Sequence, residues 1–299
     1  MDAGPRAVAQ RVTRRREVLD SSRVGLGVVV STYEWPEALD AVLRALADQS
    51  DPDFSLVIAD DGSGAETAAV VNRWRRAFGE RLAHTWQPDE GFRLARVLNL
   101  GALATDADYL VFMHGESLPR RQFVRALRSC VRRGWFVAGR RVDLSEALTA
   151  RVLENGLPVH RWGMLEWLRA RNEAKPLASL THRDRRRVGA RGVPEFIPHN
   201  RTYGYLLGVA RTDFERVNGY DMRFIGWGEE DVDIATRLRR IGLRCGHAGP
   251  GGTLVHLAHP SDIPDDRPNW HLLQETETSD RTEAIEGLRE LESLVSDPG

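Results

Sequence analysis

Continuous apolar runs alternate along the chain with segments whose apolar residues recur at helical spacing. "VGLGVVVSTY" (24–33) is β-branched and unbroken until it ends in small polar residues, the pattern of a strand buried on both faces. In "PEALDAVLRALADQ" (36–49), Leu39, Val42, Leu43 and Leu46 share one helical face and Pro36 occupies the first turn. "FSLVIADDGS" (54–63) predicts a second buried strand and "AETAAVVNRWRRAFG" (65–79) a second helix. A short strand in "AHTWQPDEG" (83–91), a helix in "RLARVLNLGALAT" (93–105) and an apolar strand in "DYLVFMHGES" (108–117) continue the alternation. "PRRQFVRALRSCVRRG" (119–134) then predicts an arginine-studded helix, and "WFVAGRRVDLS" (135–145) a strand.

Strands alternating with helices predict an α/β fold whose mostly parallel, Rossmann-like central sheet is flanked by helices. Its functional residues then belong at the carboxyl ends of the strands, at Ser31-Thr32, Asp60-Asp61 and His114-Gly115-Glu116. The pattern divides into an N-terminal arm (1–22), a first half (23–145), an insertion or subdomain (146–200), a second half (201–273) and an acidic C-terminal helix or tail (274–299). A helix is expected to begin near Glu230.

Composition narrows the function classes. The 299 residues, 41% of them apolar, suffice for a sizeable core. With 42 basic and 43 acidic side chains the net charge is −1, so no global field attracts nucleic acid, and any anionic partner must bind a local patch. Cys130 and Cys245 are far apart and form no zinc-type or CxxC spacing, which predicts a reducing compartment. No apolar run of about 18 residues is present and the first twenty residues are charged, so a cytoplasmic protein without a transmembrane segment is expected. The basic run "HRDRRRVGARG" (182–192) reads either as a solvated face or as a patch for an anionic acceptor or acidic lipid, the latter placing the chain peripherally at the inner membrane face.

Four fragments carry chemistry. Asp60 and Asp61, before Gly-Ser at a strand end, can accept hydrogen bonds from a base or ribose, or can simply cap the turn. Neither GxGxxG nor GxxxxGK[ST] occurs, so a nucleotide would be held without a dinucleotide or P-loop fingerprint. His114 and Glu116, one residue apart beyond a strand, can reach into one cleft and bind a divalent ion; His256 and His259 of "LVHLAHPSD" (254–262) can complete such a site or be ordinary core imidazoles. "FIGWGEEDVDIATRL" (224–238) places Glu229, Glu230, Asp231 and Asp233 behind Gly226-Trp227-Gly228. A helix dipole accounts for one or two of these charges. The glycines and indole suggest instead a turn against a stacked sugar, with Glu230 or Asp231 placed to take a proton from a hydroxyl.

Seven fragments in order, "VVVSTYEWP", "VIADDGS", "QPDEGFRLARVLNLGA", "YLVFMHGESLP", "GRRVDLS", "GYDMRFIGWGEEDVDIATRLRRIG" and "HLAHP...N", resemble inverting family 2 glycosyltransferases of GT-A fold. The second half resembles the carboxyl-terminal domain shared by β-1,4-galactosyltransferases and chondroitin-type polymerases. The resemblance implies a nucleotide-sugar donor, UDP-Gal, UDP-GalNAc or UDP-GlcNAc, and a saccharide or other hydroxyl acceptor that can be lipid-linked. It also implies Mn2+ (or Mg2+) as cofactor. Ser31, Thr32, Asp60, Asp61, Arg93 and Gly115 then fall on donor positions, and Trp227, Gly228 and Glu230 on acceptor positions. Asp231, with Glu230, falls on the catalytic base, and His114, Glu116, His256 and His259 fall on the metal site. His-Gly-Glu stands where the family has Asp-Gly-Asp, removing one negative charge from the metal motif. The rival readings are a non-catalytic sugar or nucleotide binder with a degenerate metal motif, and a metal-dependent phosphoester hydrolase.

Overall fold

The computed structural model describes residues 24–175, 205–260 and 266–296. The basic run at 182–192 lies outside them. The predicted βαβα start is present as β1 (Leu26–Thr32), α1 (Pro36–Ala47), β2 (Ser55–Asp60) and α2 (Ala65–Phe78). β3 (Leu82–Trp86), α3 (Leu94–Leu103) and β4 (Tyr109–His114) follow. After the short β5 (Ser117–Pro119) the arginine-rich segment is helical only over α4 (Phe123–Arg128). Tertiary bonds account for the shortening. Pro119 pairs with Leu254 in a sheet, Arg120 donates to the carbonyls of Pro250 and Trp162, and Arg128 is held by Asp51 and the carbonyl of Val24.

The single strand expected over 135–145 is two, β6 (Trp135–Ala138) and β7 (Arg140–Leu144), in different sheets. The break is Gly139, packed so closely on Leu206 that a Cβ would sit 2.3 Å from the leucine Cβ, and there the chain leaves one sheet for the other. α5 (Glu146–Asn155), α6 (Met164–Arg169) and β8 (Ala174–Lys175) come next, and Leu148, Val152 and Trp167 are buried in the main core. The remaining elements are β9 (Leu206–Ala210), α7 (Arg211–Arg216), α8 (Glu230–Arg240), β10 (Arg244–Gly246), β11 (Thr253–His256), α9 (Trp270–Thr278) and α10 (Leu288–Ser296).

Seven strands form the central sheet in the order β10-β6-β9-β4-β1-β2-β3, parallel except for β9, which runs against both its neighbours. Alternate residues of β1 face opposite cores: Val28 and Val30 pack with α1 and α2, and Val29 with α3, Phe214 of α7 and Ile234 of α8. A second sheet, β5-β11-β7-β8, sets β11 antiparallel to β5 and parallel to β7. Two registers bring the strand ends together: Ser31 lies beside His114 in the first sheet, and His256 beside Ser117 and Asp143 in the second. Among the described residues no helix is long and apolar enough to cross a membrane.

Candidate active site

The two sheets and the turn before α8 enclose a cleft of about 890 Å³. Its floor is the carboxyl end of β1, with Ser31 and Thr32, and of β2, with Asp61. Asp61 is 4% exposed, accepts from the backbone N–H of Arg93 at 2.9 Å and is also bound by the Gln87 amide. Burial raises its pKa, partly opposed by these donors.

Three residues expected in the donor site do not line the cleft. Asp60 is buried against His84 (3.1 Å) and the backbone N–H of Ser63 (2.8 Å), which makes it the cap of the turn, the plainer of its two readings. The guanidinium of Arg93 is held by Glu90 and the carbonyl of Pro88, so its contribution to the cleft is the backbone N–H on Asp61. Gly115 backs onto the carbonyl of Ser31, where a Cβ would come within 2.6 Å. The arginine that does line the cleft is Arg141 of β7, 2.6 Å from Asp143 and stacked 3.9 Å from the centroid of Tyr205. Its signal in the sequence was "GRRVDLS", but a fragment does not say which of two adjacent arginines faces inward until the strand's pairing is known.

At the same cleft, donor atoms of Glu116, His256 and His259 lie within 4.8 Å of one another. His114, expected as a ligand, is instead the hydrogen-bond partner of Glu116, Nδ1 to Oε1 at 3.2 Å. Burial would raise the Glu116 pKa, but His114 and then His256 outweigh it and hold the carboxylate at about 2. Burial, reinforced by Arg141, holds His256 at about 4, so its imidazole is neutral near pH 7. His259 donates Nδ1–H to the carbonyl of Pro260 (2.8 Å), which turns Nε2 away from that bond, and the ring of Trp35 stands edge-on at 5.7 Å. One carboxylate and two imidazoles are a donor set that suits manganese or another first-row divalent ion.

The third wall is the turn Gly226–Glu229 and the first turn of α8. Gly226, Gly228 and Glu229 all have positive φ (82°, 89° and 77°), which leaves the Trp227 indole 41% exposed at the cleft. Structure divides the four carboxylates of this stretch. Glu229 is paired with Arg267, and Asp233, fully buried, is bonded to Arg237 and to Thr276. Glu230 and Asp231 remain at the cleft, and among the described residues no arginine or lysine is paired with either. Burial in the cleft wall raises the pKa of both, and mutual repulsion raises that of Glu230 further, overcoming the helix amino terminus beneath them.

These raised values carry a stability cost. The folded chain holds the pair's protons more tightly than the unfolded chain does, so the pair is least unfavourable near pH 4 and more so as pH rises through the raised pKa values. Glu230→Gln is therefore expected to raise Tm at pH 8 and to have little effect at pH 5. Thermal melts at the two pH values test this, and an equal shift at both would contradict it.

A family model described as glycosyl transferase family 2 matches residues 27–203, and one described as the N-terminal domain of galactosyltransferase matches residues 191–260. A validoxylamine A glucosyltransferase of Streptomyces hygroscopicus subsp. jinggangensis is 27% identical over 234 residues, 73% of this chain and 52% of that protein. The chondroitin synthase of Escherichia coli is 26% identical over 125 residues, 42% of this chain and 17% of that protein. The chain thus spans about half the length, or less, of these curated relatives. Among solved structures, GalNAc-T7 with UDP, GalNAc and Mn2+ superposes with a TM-score of 0.59 at 14% identity, covering 79% of this chain and 44% of that one. The mannosyltransferase PcManGT from Pyrobaculum calidifontis, in complex with GDP-Man and Mn2+, superposes at 0.51 and 17% identity, covering 99% and 72%. The fold is that of GT-A glycosyltransferases, the second half is galactosyltransferase-like, and the chain belongs to glycosyl transferase family 2.

Proposed function

We propose that the chain transfers a hexosyl unit from a uridine diphosphate sugar to an acceptor hydroxyl, with inversion at the anomeric carbon. The observation that carries this is the pair Glu230 and Asp231, which no arginine or lysine among the described residues neutralises, beside an exposed indole in the same cleft as the Glu116, His256 and His259 group. Two half-buried carboxylates that repel each other add little to binding alone, whereas a raised carboxylate pKa suits a general base.

In this reading Ser31 and Asp61 hold the ribose or uracil, and Arg141 faces the diphosphate. Glu116, His256 and His259 would hold a divalent ion, which when bound supplies positive charge to the leaving diphosphate. Trp227 stacks on the acceptor and Glu230 accepts a hydrogen bond from one of its hydroxyls. Asp231 takes the proton of the attacking hydroxyl. The new C–O bond forms as the bond from the anomeric carbon to phosphate oxygen breaks, and the nucleoside diphosphate leaves with the electron pair. UDP and Mn2+ in the GalNAc-T7 complex, and the glucosyltransferase name of the Streptomyces relative, support the donor and metal classes. An acceptor in polysaccharide, glycolipid or glycosylated-metabolite synthesis is consistent with both families of relatives.

The test is incubation with Mn2+ and UDP-Gal, UDP-GalNAc, UDP-GlcNAc or UDP-Glc against a mixture of saccharide and polyol acceptors. The expected result is UDP release that depends on acceptor, with the inverted anomer identified by NMR. Phosphate release without acceptor would point to a hydrolase, and binding without turnover to the non-catalytic reading.

A further inference from the structure

Asn269 occupies the N-cap position of α9. Asparagine is favoured there because its side-chain oxygen can accept from the first free N–H groups of the helix, worth about 1 kcal/mol. This asparagine makes no such bond. Its side chain is 3% exposed and turned the other way, into the turn before α8, where Nδ2 lies 2.9 Å from the carbonyl oxygen of Gly228 and 3.4 and 3.5 Å from those of Trp227 and Gly226. Three acceptors converge on one atom, so that atom must be the amide nitrogen.

The turn it touches needs outside support. Gly226, Gly228 and Glu229 all lie in the left-handed region, and for a residue with a Cβ, such as Glu229, that region is unfavourable. A backbone held this way persists only when its surroundings over-determine it. The surroundings supply three ties. Gly226 N–H donates to the carbonyl of Phe92 at 2.8 Å, the Arg267 guanidinium binds Glu229, and Asn269 gathers the carbonyls between them.

We infer that Asn269 is a positioning residue for the acceptor side of the cleft: it forgoes capping its own helix to fix the Gly226–Glu229 turn, and through it the Trp227 ring and the Glu230 and Asp231 carboxylates. It touches no reacting atom. What it sets is the distance and angle at which the acceptor hydroxyl meets its base, where a misplacement of about 1 Å can cost on the order of 100-fold in rate. The acceptor role rests on the glycosyl-transfer reading; the fixing of the turn does not.

Asn269→Asp and Asn269→Ser separate this from a structural role. Both are good N-caps and neither can place an amide N–H on the three carbonyls. Restored capping is expected to offset part of the lost clamp, so that Tm falls only modestly in Asn269→Ser and further in Asn269→Asp, whose carboxylate meets the carbonyls; UDP affinity by calorimetry should be unchanged, and kcat/KM for acceptor should fall about 10- to 100-fold with donor KM steady. Backbone amides of the turn and of the first residues of α8 should exchange hydrogen faster than in the parent chain. Parent-like exchange there overturns the inference whatever the activity. Faster exchange in a chain that transfers no sugar would keep the clamp and remove the transferase reading. Parent-like acceptor kinetics with faster exchange would show that the turn need not be fixed for transfer and would also overturn the inference.

Discussion

Asparagine in place of Asp231 is expected to lower sugar transfer about 100-fold or more while leaving the affinity for UDP as it was. The substitution keeps the size and hydrogen-bonding outline of the side chain, including acceptance from the Val232 N–H at 2.8 Å, and removes only the ability to take a proton. Asp231 is suited to that task because burial in the cleft wall raises its pKa, which makes it a stronger base than an exposed aspartate. The same variant separates base from binder: Glu230→Gln should weaken acceptor binding and turnover together, whereas Asp231→Asn should act on turnover. The measurement is steady-state kinetics of UDP release with calorimetric UDP binding alongside, and near-parent turnover in Asp231→Asn would move the base elsewhere.

The second large effect is expected from the metal side. Exhaustive chelation should abolish transfer, Mn2+ should restore it better than Mg2+, and Glu116→Gln should lower Mn2+ affinity about 100-fold. Magnesium prefers an all-oxygen shell, whereas two of the three donors here are imidazoles. Glu116 is the member with most to lose, since it supplies the group's carboxylate and also bonds His114. Direct Mn2+ titration followed by electron paramagnetic resonance reads the affinity without relying on turnover. Full activity with no metal in the protein would assign the leaving-group charge to Arg141 and other cations.

How much of this was legible in the chain varies with the range over which each feature is determined. β1, α1, β2 and α2 follow from local periodicity, and the start of α8 near Glu230 follows from glycines, charge and the helix pattern behind them. Asp61 and the Trp227 turn reach the cleft as their place at a strand end and before a helix led one to expect, although the bonds that hold them come from Arg93, Gln87, Phe92 and Asn269 far along the chain. The Arg93 guanidinium and Asp60 lie outside the cleft lining for two different reasons: the arginine is held by Glu90 and Pro88 of its own loop, where several rotamers were open to it, and the aspartate is claimed by His84 on the adjacent strand, which its fragment does not contain. The division of "WFVAGRRVDLS" into two sheets depends on Leu206, nearly seventy residues away, pressing on Gly139. Asn269 was legible only as a letter in a loose motif, since its role is a contact some forty residues back along the chain.

The pairing of β11 with β5 has a consequence for how the protein acquires its structure. Ser117 and His256 are 139 residues apart in sequence and 3.2 Å apart in space. One wall of the cleft waits on that contact, because β11 carries His256 and leads into His259. Contacts of such separation carry a loop-closure entropy that local helices do not, and chains rich in them fold slowly. The first βαβ units can form from local pairings while residues beyond 250 are still unmade on the ribosome. The Glu116, His256 and His259 group cannot, because it needs β5 and β11 side by side.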